Sequence, residues 1–159
     1  MMTKILISLA AAGLIVAAAP AFAGPEVNTT TGAVLVNGKP APGLAVHGFD
    51  VVAYFTESKP VQGDAKFALV HKEATYRFTS QASLDAFKSN PTKYEPADGG
   101  YCAYAVSLGS LSASVPEAFT IHDGRLYLTS STAIRAVWSK DMDGNIRKAD
   151  ANWPGLTGN

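Results

Sequence analysis

A single cysteine, Cys102, is the only thiol in 159 residues. The chain therefore cannot form an internal disulfide, and its fold has to hold by packing. The N-terminus sharpens that constraint, because it reads as a secretory signal peptide. Lys4 is the only charged side chain among the first 25 residues. Residues 5–19 are apolar except for Ser8 and Gly13, Pro20 breaks the run, and Ala21-Phe22-Ala23 forms an A-x-A cleavage site. The apolar run is about 15 residues, short of the roughly 20 that cross a bilayer. The reading is cleavage after Ala23, export to a periplasmic or extracellular space, and no membrane span once the signal is removed. Such a space is normally oxidising, where a lone cysteine is a free thiol, an intermolecular partner, a ligand or a buried small hydrophobe. Cleavage leaves 136 residues, one domain by size and enough to bury a core without cross-links. Twelve basic side chains then face thirteen acidic ones. A net charge near −1 provides no basic footprint for nucleic acid and no pull toward an anionic membrane surface.

The rest of the chain predicts a small α+β domain of short antiparallel hairpins and several helices, with a helical C-terminal segment. Residues 24–43 are rich in Gly, Pro and Thr, and read as a flexible N-terminal arm or a strap over the domain. The domain proper spans 44–154, with 155–159 as a tail. Segments 67–71 and 75–79 read as strands joined by Lys72-Glu73-Ala74. Ser80 is placed to cap a helix over 81–89 whose Leu84 and Phe87 face inward, and Asn90-Pro91 ends it and opens a second short turn. A short helix is expected around residues 101–106. Segments 119–122 and 125–128 flank Asp123-Gly124, a strong two-residue hairpin signal. Ile134, Val137, Trp138 and Met142 follow helical spacing. Gly144 is expected to interrupt that helix and Pro154 to stop it. Tyr54, Tyr76, Phe78, Phe87 and Trp138 are the expected aromatic core.

Three blocks carry a family likeness: Gly48-Phe49-Asp50-Val51-Val52-Ala53-Tyr54-Phe55, Thr75-Tyr76-Arg77-Phe78-Thr79-Ser80, and Phe87-Lys88-Ser89-Asn90-Pro91-Thr92-Lys93-Tyr94. Gly99-Gly100-Tyr101-Cys102-Ala103-Tyr104 and Ala149-Asp150-Ala151-Asn152-Trp153-Pro154 extend it. Together they resemble the YHS domain in its exported, stand-alone form, over most of the chain after the signal. The resemblance places the family's Tyr, His and Ser at Tyr54, His71 and Ser80. Related domains accompany heavy-metal transport ATPases and multicomponent oxygenases, and belong to a wider group of treble-clef-like metal-binding modules. The likeness therefore implies metal handling.

The catalytic templates are empty: no G-x-S-x-G elbow, phosphate loop, G-x-G-x-x-G or H-E-x-x-H is present. A binding role is thereby favoured over an enzymatic one. Thiolate and imidazole suit copper(I) or zinc, so the expected metal ligands are Cys102 and His71, with Asp50 as a third. Two other readings stay open. One is a thiol enzyme with Cys102 as nucleophile and His71 as base. The other is a non-metal binding or scaffold domain with Cys102 in its core. His47 and His122 read as surface residues. Asp141-Met142-Asp143-Gly144-Asn145 reads as a helix cap rather than a calcium loop, because it lacks the closing Glu.

Overall fold

The computed structural model describes residues 23–158, so the predicted signal peptide lies outside the described residues except for Ala23. The fold is α+β, with three two-stranded antiparallel hairpins set among short helices. In chain order it runs β1 (Val34–Val36), β2 (Lys39–Ala41), α1 (Ala53–Thr56), β3 (Asp64–His71), β4 (Ala74–Phe78), α2 (Gln81–Ser89) and α3 (Pro91–Tyr94). It continues through α4 (Ala103–Ser107), β5 (Val115–His122), β6 (Arg125–Thr129), α5 (Thr132–Trp138) and α6 (Met142–Thr157). Among the described residues, no helix is long and apolar enough to cross a membrane.

Two tight turns set the registers that matter for the site. β3 and β4 meet at Lys72-Glu73, where φ is 48° and 59°. β5 and β6 meet at Asp123-Gly124, with φ of 48° and 73°. Positive φ at both centres matches the right-handed twist of the flanking strands. The first connection is one residue shorter than expected, because Ala74 already pairs with His71. Leu69 then stands opposite Tyr76, and in the other hairpin His122 stands opposite Arg125.

The helix caps follow the sequence. Ser80 accepts the Ser83 N–H at 3.1 Å, Asn90 accepts the Lys93 N–H at 3.2 Å, and Asp141 accepts the Gly144 N–H at 3.0 Å. All five expected core aromatics are buried, with Tyr76 the most exposed at 2%. Tyr76, Phe78 and Phe87 stack as a tilted cluster, with centroids 4.9 Å and 5.3 Å apart. Burying one such ring is worth roughly 1.5–3 kcal/mol.

Of the two readings of residues 24–43, the contacts match the strap, while two helix expectations need correction. Val27 is buried in the core, and β1 and β2 form a small hairpin. Backbone bonds also tie Gly24 to Leu156, Asn28 to Gly99 and Thr30 to Leu44. Gly144 does not interrupt the C-terminal helix. The break is a 3-10 turn at Ser139–Asp141, and Gly144 sits in the first turn of α6, where a Cβ would overlap the Asp141 capping carboxylate. Pro154 does not stop the helix, which continues to Thr157, so residues 155–157 are not a tail. A proline costs one intrahelical hydrogen bond. Here Trp153 and Leu156 pack with Tyr101, Val106 and Ala149, and the Gly24 N–H binds the Leu156 carbonyl at 2.9 Å. That packing carries the helix past the proline.

Candidate functional site

The metal ligands expected from the sequence are not brought together. Among the described residues, the only three His, Cys, Asp or Glu side chains whose ligand atoms lie within 4.8 Å of one another are His122, Asp123 and Asp143. Cys102, His71 and Asp50 each have another role. Cys102 is 2% exposed, stands at the N-cap position of α4 without a side-chain cap bond, and pairs through its backbone with Leu128 of the core. Asp50 is fully buried, with its oxygens already bonded. Oδ1 accepts the Val52 N–H at 2.8 Å, and Oδ2 accepts the Thr79 N–H at 2.8 Å, the Thr79 hydroxyl at 2.9 Å and the Ser83 hydroxyl at 2.6 Å. This carboxylate pins the start of α1 to the end of β4 and to α2. A neighbouring cavity of about 290 Å³ opens beside it, but this polar part of its wall is satisfied internally. A copper or zinc ion does not fit this donor set: one donor is core, one is saturated, and they do not converge.

The positions that the resemblance singled out, Tyr54, His71 and Ser80, split the same way. The buried Tyr54 hydroxyl donates to the Pro116 carbonyl at 3.1 Å, and Ser80 is the α2 cap. Both are structural. His71 stands edge-on to Phe87, with centroids 5.4 Å apart, and its Nε2 lies 3.2 Å from Glu95 Oε2. Glu95 faces a larger cavity.

That cavity, of about 380 Å³, gathers side chains from separate stretches of chain. The strap supplies Glu26, the β3–β4 turn Lys72, β4 Tyr76, the loop after α3 Glu95, a 3-10 turn at Ala97–Gly100 Asp98, and the start of β6 Arg125. Lys72 reaches Glu26 at 3.0 Å and Glu95 at 3.3 Å. Burial pulls the Lys72 pKa down, but its hydrogen bonds to Glu26 and Glu95 and their charges outweigh that and raise it above the ordinary 10.5. Burial, helped by the charges of Glu95 and Glu26, pushes the Tyr76 hydroxyl up and keeps it neutral.

Asp98 is the anomalous wall residue. It is 8% exposed, and its Oδ2 is buried without a hydrogen-bond partner. Burial raises its carboxyl from the ordinary 3.8 to about 6; the Asp150 charge adds to this and the Arg125 charge opposes it. Arg77 Nε and Trp138 Nε1 are also buried and unpartnered, but neither residue lines this cavity.

The backbone that presents Asp98 is unusual. Asp98, Gly99 and Gly100 take φ of 52°, 57° and 78° in succession. A Cβ on Gly99 would overlap the Glu26 carbonyl, so glycine lets the strap lie against this turn. The Gly99-Gly100 pair thus admits a second backbone. The Asn28 N–H binds the Gly99 carbonyl at 2.9 Å and closes the contact.

Sequence reasoning did not single out Glu26, Glu95, Asp98 or Arg125, and read Lys72 only as part of a turn. The one local sign was Asp98-Gly99-Gly100, since an acidic residue before two glycines marks a turn of uncommon geometry. His122 Nε2 lies 2.9 Å from Asp143 Oδ1 and 3.7 Å from Asp123 Oδ2, both on exposed carboxylates, and the three form a polar cluster at the surface. Comparison with known proteins finds no matching family model, no matching curated protein and no matching solved structure.

Proposed function

We propose that this chain is an exported, non-catalytic binding domain of the YHS type, which holds a small polar ligand in the Asp98 cavity and keeps Cys102 in its core. One observation carries the reading. Asp98 lines a 380 Å³ cavity, and its carboxylate carries a buried oxygen, Oδ2, with no hydrogen-bond partner in the protein. Leaving such a group unsatisfied costs about 1–3 kcal/mol or more, and a cationic ligand group held against this carboxylate would offset part of that cost. The volume lies within the range of roughly 300–1,000 Å³ typical of small-molecule sites. Burial of Cys102 favours a core role over both the thiol-enzyme and the soft-metal readings.

The test is a thermal-shift and calorimetric screen of the purified protein against small polar metabolites, with copper(I) and zinc included. Thr92 is an exposed residue on the cavity wall, so Thr92→Trp plugs the site without disturbing the core. A saturable ligand lost in Thr92→Trp supports the proposal, provided the variant keeps its melting temperature. A ligand that binds the plugged variant equally well overturns it. Tight copper(I) binding that falls by orders of magnitude in Cys102→Ala restores the metal reading instead.

A further inference from the structure

Resting on that reading, we infer that the ligand is a small zwitterion, with a protonated amine held by Asp98 and a carboxylate held by Arg125. The inference follows from which charges on the cavity wall are already used. Lys72 is shared between Glu26 and Glu95, and Glu95 also receives His71. Those four groups satisfy one another and have little left to offer a guest.

Two wall groups remain. Asp98 Oδ2 has no partner. Arg125 has no carboxylate within ion-pair distance among the described residues; its guanidinium lies over the Tyr127 ring, 5.5 Å from the centroid. A planar guanidinium resting on an aromatic face keeps its edge donors free for a carboxylate. The two opposite charges line one cavity, feel each other's field and yet do not pair.

A ligand with a single charge fits this wall poorly. An amine alone would satisfy Asp98 but bring a cation toward Arg125. A carboxylate alone would suit Arg125 but press an anion toward a buried acid. A zwitterion meets both, and each contact is a charge-assisted hydrogen bond. Val27, Pro96 and Trp153 supply an apolar stretch of the same wall. That favours an amino acid with an aliphatic side chain.

The test is isothermal titration of the full purified protein with L-leucine and γ-aminobutyrate, which differ in charge separation. Leucinamide and isoamylamine serve as amine-only controls, and 4-methylpentanoate as the acid-only control. The expected result is saturable binding of at least one zwitterion and much weaker binding of all three controls. Asp98→Asn and Arg125→Gln should each weaken it by about tenfold or more, as loss of a charged hydrogen bond requires. Arg125 is exposed, so Arg125→Gln keeps the test open if Asp98→Asn fails to fold, with its own melting temperature as the check. Amine controls that bind as tightly as the zwitterions, with Arg125→Gln unaffected, overturn the inference and leave a cation-binding site. Tighter binding of 4-methylpentanoate overturns it in favour of an anion. If no compound of the set binds while a metabolite from the wider screen is still lost in Thr92→Trp, the zwitterion inference fails and the ligand-binding proposal survives.

Discussion

Replacing Asp98 with asparagine removes an ionisable group from a site that disfavours its charge, and the consequence is a change in how stability depends on pH. In the folded protein the carboxyl is raised from 3.8 to about 6, first by burial and then by Asp150, against the pull of Arg125. Between those two values the folded state holds a proton that the unfolded chain has released. Stability rises with pH only where the unfolded state binds more protons; here the folded state binds more. The Asp98 contribution is therefore fully present below about pH 4 and lost as pH climbs through about 6. At 1.36 kcal/mol per pH unit, the whole span is about 3 kcal/mol.

The measurement is urea unfolding of wild type and Asp98→Asn at several pH values between about 4 and 8, followed by tryptophan fluorescence. Trp138 is fully buried and reports on the core. Other titrating groups are common to both proteins and cancel in the difference. The variant should gain on wild type by up to about 3 kcal/mol across this range. The absolute offset depends on whether the new amide finds partners, but the slope does not. A difference that stays flat with pH, or that slopes the other way, would refute the claim that Asp98 is buried and unpaired.

Three further substitutions test the frame around the cavity. Gly99→Ala forces a side chain into a left-handed residue and against the Glu26 carbonyl; it should cost about 1–3 kcal/mol, and limited proteolysis should then cut the strap sooner. Asp50→Ala strands the Val52 and Thr79 N–H groups and the Thr79 and Ser83 hydroxyls, so thermal unfolding should show a loss of about 3 kcal/mol or more. Cys102→Ala should cost only about 1 kcal/mol, and in wild type iodoacetamide should label the thiol no faster than the protein unfolds, because the side chain is 2% exposed; rapid labelling of the native protein would contradict a core role.

The parts of the fold that were legible in the sequence are those written within a few residues. Asp123-Gly124 specifies its own turn, Ser80 and Asn90 specify their own caps, and the Tyr76/Phe78 alternation marks the buried face of β4. Reading failed where distant packing overrode a local rule. Pro154 normally ends a helix, yet the chain outweighs that preference with contacts from Trp153 and Leu156 and a bond from Gly24, some 130 residues earlier. The Gly/Pro-rich start stayed open between arm and strap for the same reason: its partners, Gly99, Gly100 and Leu156, lie far along the chain.

The cavity was illegible on stronger grounds. A metal-ligand set or a catalytic motif can be guessed when two or three of its members share one element, because the element's period fixes their spacing. Here six charged or polar wall residues come from four separate stretches of chain, the strap, the β3–β4 hairpin, the run around Glu95 and Asp98, and the start of β6, and the fold alone brings those stretches together. Lys72 and Arg125 sit at or beside the two tight hairpin turns, so the same positive-φ turn residues that set strand register also set the cations of the site. Glu26 is placed by contact of the strap with Gly99, and Gly99 adjoins Asp98. Strap and acid are thus mechanically one unit. A guest that binds Asp98 must also sense whether the strap is seated, and Gly99→Ala should weaken ligand binding as well as stability, although residue 99 carries no charge. Unchanged affinity in a folded Gly99→Ala protein would show that the strap only covers the domain and takes no part in the site.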